Sequence, residues 1–132
     1  MAENKIIVNA PISVGELMDK ISILKIKKKN IKDEKKLSFI NEELRILLST
    51  LDEAVQDNKI NEYLDKLISI NSQLWKIEDD IRLCERNKKF DKRFIELARA
   101  VYITNDKRSD IKLAINKHLG STLVEVKSYT KY

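Results

Sequence analysis

The chain has 132 residues and a formal net charge of +5, with 42% hydrophobic, 36% charged and 6% aromatic residues. That is the length of one domain, able to bury roughly two thirds of the surface of its unfolded chain, and it is too hydrophobic to stay disordered. Two glycines and one proline supply too little turn chemistry for a multi-stranded sandwich or barrel, and abundant charge with few breakers points to long helices.

Single residues exclude more. Cys84 is the only cysteine, so no disulfide scaffold forms within the chain. His118 is the only histidine, which removes His-rich zinc sites and the paired Glu-x-x-His of di-iron bundles. No metal and no cofactor are expected. The opening MAENKIIVNAPISVGE lacks a basic region followed by a long apolar run, so no signal peptide is expected. No apolar stretch approaches the ~18 residues of a membrane span. The reading is a basic, cytoplasmic protein without a membrane segment.

Residues 5–10 (KIIVNA) are a short branched apolar run suited to a strand, ended by Pro11. Ser13 and Glu16 then stand at capping-box spacing, with Ile12 and Leu17 placed as a hydrophobic staple. The first helix is predicted from Val14 to Lys29, with Leu17, Ile21 and Leu24 inward. Asp33 is the expected cap of a second helix with the stripe Leu37, Ile40, Leu44, Leu47 and Leu51, ending before Gln56. The third helix is predicted from Asn58 to Arg86, where Tyr63, Leu67, Ile70, Leu74, Ile77, Ile81 and Cys84 keep heptad spacing. After a break at Asn87–Phe90, Asp91 caps a fourth helix reaching Leu119, and Gly120 fits the left-handed position after a helix end. Leu123, Val124 and Val126 are candidates for a second strand that would pair with residues 5–10. The predicted fold is therefore all-α. It is a single domain, 1–132, formed as an antiparallel bundle of three to four helices with a long C-terminal hairpin, and a short two-stranded ribbon can form from the termini.

The fourth helix carries an anomaly. At the α-helical rotation, Phe94, Leu97, Ala98, Val101, Ile115 and Leu119 share a stripe with Asn105, Arg108 and Lys112. Unpaired charges on an inner face are costly, so these groups must meet partners, water or a ligand. An antiparallel hairpin sets Glu78 near Arg99 and Tyr102, Asn71 near Asn105 and Asp106, and Asp65 and Ser69 near Lys112 and Arg108. Two readings stand: a polar network that fixes helix register, or a pocket for an anionic ligand. In the pocket, Arg108 and Lys112 are the donors and Asn105 and Asp106 select shape, an arginine fork being suited to phosphate or carboxylate.

Other features are weaker. The run Glu78, Asp79, Asp80 spreads around its helix and cannot close on one metal. Lys25–Lys36 holds seven lysines, a charge density that nucleic acid could use, yet no recognition-helix or RNA-binding motif accompanies it. Cys84 sits at a core position, and His118 suits the dipole of a helix end. The hairpin keeps the two apart. Trp75 lies off the third-helix stripe, against the first or second helix or at a dimer interface.

The segments SVGELMDKISILKIK, LWKIEDDIR and ELARAVYITNDKRSDIKLAINKHLGSTLVEVKSY resemble a bacterial domain-of-unknown-function family of small proteins. The resemblance covers nearly the whole chain and is most specific at Tyr102, Thr104, Asn105, Asp106, Arg108, Lys112, Asn116, Gly120 and the closing Glu125, Lys127, Ser128 and Tyr129. It implies a free-standing bacterial protein of this length and carries no activity, substrate or cofactor. It also draws notice to Glu16, Asp19 and Lys20 on the first helix, which can face the Asn105–Lys112 cluster, and to EVKSY, which is expected to pack against the body. The functional expectation is a binding or interaction protein, a homodimer through the heptads, whose cluster (Asn105, Asp106, Arg108, Lys112, Tyr102, Arg99, Glu78, Glu16, Lys20) meets an anionic ligand or partner. The alternatives are an enzyme acting on an anionic metabolite, with Glu78 and Glu16 as first candidates for a perturbed carboxyl, and nucleic-acid binding through Lys25–Lys36.

Overall fold

A computed structural model describes residues 6–132. Among them four helices form: α1 (Val14–Asn30), α2 (Glu34–Ala54), α3 (Ile60–Arg86) and α4 (Lys92–His118). No described helix is long and apolar enough to cross a membrane.

The helix ends follow local chemistry. Ser13 Oγ accepts from the Glu16 backbone N–H at 3.1 Å, the cap half of the expected box. The Glu16 side chain goes elsewhere, as described below. Lys27, Lys28 and Lys29 fill the last turn of α1, where cations suit the carbonyl end of the dipole. Asp33 makes no side-chain cap bond to α2, so its expected capping role is not realised. Asp91 does cap α4, its Oδ1 accepting from Phe94 N at 3.3 Å. At the other end of α4 the backbone turns left-handed at Gly120 (φ 66°), and Ser121 N donates to Asn116 O at 2.8 Å. This is the Schellman closure that a glycine after a helix permits.

The first helix is the hub, packing against each of the other three, while α3 packs along α4. Contacts descend α4 as they ascend α1: Gly15 with Asn116, Glu16 with Lys112, Asp19 with Arg108. The first helix is thus antiparallel to α4 and parallel to α3. Its Leu17, Met18, Ile21 and Leu24 join Ile40, Leu44 and Leu51 of α2, Leu64, Leu67 and Ile70 of α3 and Ile115 of α4 in one core. Met18, Ile21, Leu67 and Ile115 are wholly enclosed, and truncating one of these to alanine removes about 2–5 kcal/mol.

Close approach at the foot of α1 depends on Gly15. A Cβ there would lie 2.6 Å from the Lys112 carbonyl oxygen and 2.9 Å from Asn116 Oδ1. Without it, Gly15 N donates to Asn116 Oδ1 at 2.7 Å, locking α1 to α4.

Three expectations need correction. The two-stranded ribbon does not form: no strand occurs among the described residues, and Lys5 lies outside them. Ile6, Ile7 and Val8 are exposed, as are Leu123, Val124 and Val126. Side-chain anchors draw the C-terminal segment along α4 instead, and an isolated ribbon of two short strands is marginal in water. The heptad stripe of α3 is buried only at Leu67, Ile70 and Leu74, while Ile77, Ile81 and Cys84 are half-buried, because no described third helix closes over that end. Cys84 is therefore not a core residue.

Candidate functional site

The cluster on α4 is partnered chiefly by α1. Asp19 has no solvent exposure and sits where α1 faces both hairpin helices. Arg108 donates from Nε to Asp19 Oδ1 at 2.9 Å and from Nη2 to Asp19 Oδ2. Asn71 on α3 donates from Nδ2 to Asp19 Oδ1 and to Ser22 Oγ, each at 2.8 Å, and Ser22 Oγ donates to the Asp19 carbonyl at 2.7 Å. A buried carboxylate is costly unless paired and hydrogen-bonded, and Asp19 is both. No enclosed side-chain nitrogen or oxygen among the described residues lacks a partner.

One turn along, Lys112 is 7% exposed. Its ammonium lies 2.7 Å from Glu16 Oε2, 2.8 Å from Glu125 Oε2 and 4.0 Å from Asp19 Oδ2. Burial pulls the Lys112 pKa down, yet hydrogen bonds to Glu125 and Glu16 outweigh it and raise the value. The Asp19 bond raises Arg108 against its own desolvation. Glu125 is held below its ordinary value, first by the hydrogen bond from Lys112.

Two concavities flank this cluster. A cavity of about 350 Å³ opens between α1, α3 and α4, with Ile23, Ile26, Leu74 and Trp75 as apolar wall and Asn71, Asn105, Arg108, Glu78 and Asp79 as polar lining. The edge of the Arg108 guanidinium that carries Nε and Nη2 is spent on Asp19, while Nη1 reaches Asn105 Oδ1 at 3.4 Å. Nη1 carries a second hydrogen. A larger groove of about 1060 Å³ lies between α4 and the C-terminal segment, lined among others by Tyr102, Asp106, Lys112, Glu125 and Tyr132. Here the Tyr132 hydroxyl donates to Asp106 Oδ2, and the Tyr132 and Tyr102 rings meet edge-on with centroids 5.3 Å apart.

The structure brings together Glu16, Asn105, Arg108 and Lys112, with Asp106 and Tyr102 on the groove side. Glu78 lines the cavity mouth but pairs with Arg82 on its own helix at 3.3 Å. Arg99 and Lys20 are exposed and make no hydrogen bond or ion pair among the described residues. Asp65 and Ser69 are exposed too, and the cations they were expected to meet take partners from α1 and the tail. The hairpin register itself is as expected, with Arg93 3.4 Å from Asp80 and the His118 ring 5.7 Å from that of Tyr63. Trp75 packs toward the first helix, sharing the cavity wall with Ile23 and Ile26. The lysines of Lys25–Lys36 wrap the exposed α1–α2 corner. Among the described residues no group of three or more His, Cys, Asp or Glu side chains is arranged to hold a metal ion.

Sequence reasoning missed the buried role of Ser22 and the Gly15–Asn116 lock. A glycine in the first turn of an amphipathic helix was the signal for the second.

An all-α bundle built on an α1–α4 ion-pair cluster with one cavity and one groove beside it is thus the class of protein. The chain belongs to the Family of unknown function (DUF6165), whose model matches residues 8–132. No curated protein and no solved structure matches it.

Proposed function

We propose that this is a small cytoplasmic binding protein whose cavity between α1, α3 and α4 takes a compact molecule bearing an anionic group and a ring. The observation that carries the reading is the division of labour within Arg108. Asp19 holds one edge of the guanidinium, so Nη1 stands pre-oriented beside Asn105 on the cavity side. Pre-organisation of this kind spares a ligand the cost of ordering its own receptor. Trp75, Ile23 and Ile26 supply the apolar wall, and a volume of about 350 Å³ falls within the usual range for small-molecule sites.

The acidic residues at the mouth narrow the chemistry. Glu78 and Asp79 line the same cavity and would oppose a bare polyanion. They suit a ligand with a donor or cationic group at the end away from Arg108, so an amphoteric ring compound fits best. The test is a thermal-shift screen of aromatic amino acids, nucleoside monophosphates and aromatic carboxylates, in which a ligand bound only by the folded state raises the midpoint. Asn105→Ala is the companion variant, because removing Arg108 strands a buried carboxylate and confounds stability with binding. A shift abolished by Asn105→Ala supports the site; no shift with any class refutes it.

The proposal includes a homodimer through the outer end of the α3–α4 hairpin. Ile77 and Ile81 are half-covered there, and Leu83, Phe90 and Ile95 are exposed at 53%, 54% and 56%. Asp80 pairs with Arg93 and Glu85 with Lys88 within the chain, which leaves Asp79 on the α3 side of this end and Lys89 and Lys92 on the turn and α4 side to face a second copy. A two-fold axis lays one side against the other.

A further inference from the structure

One wall of the groove along α4 is the C-terminal segment itself, seated across that helix. After Ser121 N→Asn116 O no further backbone–backbone hydrogen bond fixes the C-terminal segment among the described residues, and residues 122–132 are all exposed. Ser121 Oγ pins its start, donating to Leu123 O at 2.7 Å and accepting from Val14 N at 3.4 Å, and beyond that two side chains hold it: Glu125 on Lys112 at 2.8 Å, and Tyr132 on Asp106 and against Tyr102. The segment leaves the body at Gly120, where φ is 66° and nothing crowds the α carbon.

Charge counting singles out Glu125. Glu16 and Asp19 already balance Arg108 and Lys112, two against two. Glu125 is a third carboxylate, and besides Lys112 its neighbouring cation is Lys127 of the same segment, at 4.0 Å. The cluster stays neutral when Glu125 leaves, so its place is open to exchange with another carboxylate. With the segment seated, the Lys112 ammonium is almost wholly enclosed, where electrostatic attraction is least screened, so a carboxylate that takes the same place is held in the same way.

We propose that the face of α4 beneath residues 122–132 is a docking site for an extended peptide that presents one carboxylate and, seven residues on, a phenol, with residues 122–132 holding the place in the free protein. The occupant defines the chemistry: a carboxylate for Lys112, then a phenol for Asp106 seven residues on (125 to 132), stacked edge-on with Tyr102. A partner peptide enters by displacing the tail, so its apparent affinity is reduced by the fraction of chains whose own tail is seated. The inference does not rest on the cavity reading, with which it shares Asn105 as a common wall.

The test uses the full chain and a fluorescent peptide of sequence STLVEVKSYTKY, with a second peptide carrying Gln in place of its Glu, read by anisotropy. Glu125→Gln with Tyr132→Phe loosens the internal tail without touching the core, and a far-ultraviolet circular dichroism spectrum matching the parent's will report that the bundle stays folded. The loosened chain should bind the Glu peptide roughly tenfold or more tightly than the parent chain. The Gln peptide should bind at least roughly tenfold more weakly than the Glu peptide, and Asp106→Asn should weaken binding too. Trp75→Ala should leave binding unchanged, which separates this groove from the cavity. Equal affinity for parent and loosened chains, equal affinity for the two peptides, or no binding to the loosened chain up to about a millimolar overturns the proposal.

Discussion

Arg108 clamps Asp19 along one edge of its guanidinium, joining the middle of α4 to a carboxylate on α1 that no water reaches. The pair stands at the junction of three helices, since Asn71 of α3 donates to the same carboxylate. It therefore has two tasks, setting the register of the bundle and aiming the remaining guanidinium donors at the cavity.

The structural task predicts a strong asymmetry between single and double variants. Arg108→Ala leaves Asp19 buried without its cation and should cost about 3–5 kcal/mol. Asp19→Asn combined with Arg108→Gln removes both charges and should recover much of that loss. Urea denaturation of the two singles and the double measures the coupling. Additive costs would show that the pair does not set the register.

The two glycines should behave differently. Gly15→Ala drives a methyl into the Lys112 carbonyl and Asn116, and should cost about 1–3 kcal/mol despite the better helix propensity of alanine. Gly120→Ala meets no neighbour, and its positive φ alone is strained, costing about 1 kcal/mol. Thermal melts of both variants give the comparison, and an unaffected Gly15→Ala would contradict the close approach of α1 to α4.

The tail should respond to pH at both extremes. Glu125 faces Lys112 and Arg108 of α4 and Lys127 of its own segment, with Glu16 and Asp19 of α1 sharing the same ammonium. Its pKa is lowered in the folded state, so the stability it lends is complete above its ordinary value and is lost as pH falls through the lowered one. Tyr132 is raised by its bond to Asp106, and Lys112 is raised despite burial. Their contributions are complete below their ordinary values and vanish as pH climbs through the raised ones. Methyl relaxation of Leu123, Val124 and Val126 should report a tied segment at neutral pH that loosens in strong acid and strong alkali. Uniform mobility across the range would mean the anchors do not hold.

Self-association through the hairpin end predicts a dimer in sedimentation equilibrium at micromolar concentrations. Leu83→Asp with Ile95→Asp should return it to a folded monomer, with the helical circular dichroism of the parent and a Tm that no longer depends on protein concentration, both residues being exposed. A monomeric parent chain would refute that interface.

Much of the fold was legible in the residues. Ser13, Asp91 and Gly120 mark ends that the backbone obeys, because capping is local chemistry that needs only neighbours a few residues away. The polar stripe Asn105, Arg108, Lys112 was visible as a violation of helical patterning. Periodicity within α3 and α4 says nothing of which third helix closes over it; the family resemblance, not the pattern, pointed to Glu16 and Asp19 of α1, which do meet Lys112 and Arg108, and to Lys20, which does not join them. Expecting Asp65 and Ser69 followed from the hairpin alone, and α1 displaces them by supplying Asp19 and Glu16. Glu125 was invisible to any periodic argument: it lies in an irregular segment whose course is set by ion pairing rather than by a ladder. The same fact explains why the apolar runs at the two ends do not pair.

Trp75 is the only tryptophan of the chain and lines the cavity, so its fluorescence is the most direct report on the central claim. Titration with an aromatic amino acid, a nucleoside monophosphate and an aromatic carboxylate should give, for at least one class, a saturable change that Asn105→Ala abolishes while leaving Tm within a few degrees of the parent. A signal that none of the three classes changes, or one that Asn105→Ala leaves intact, would contradict the assignment of this cavity as the binding site.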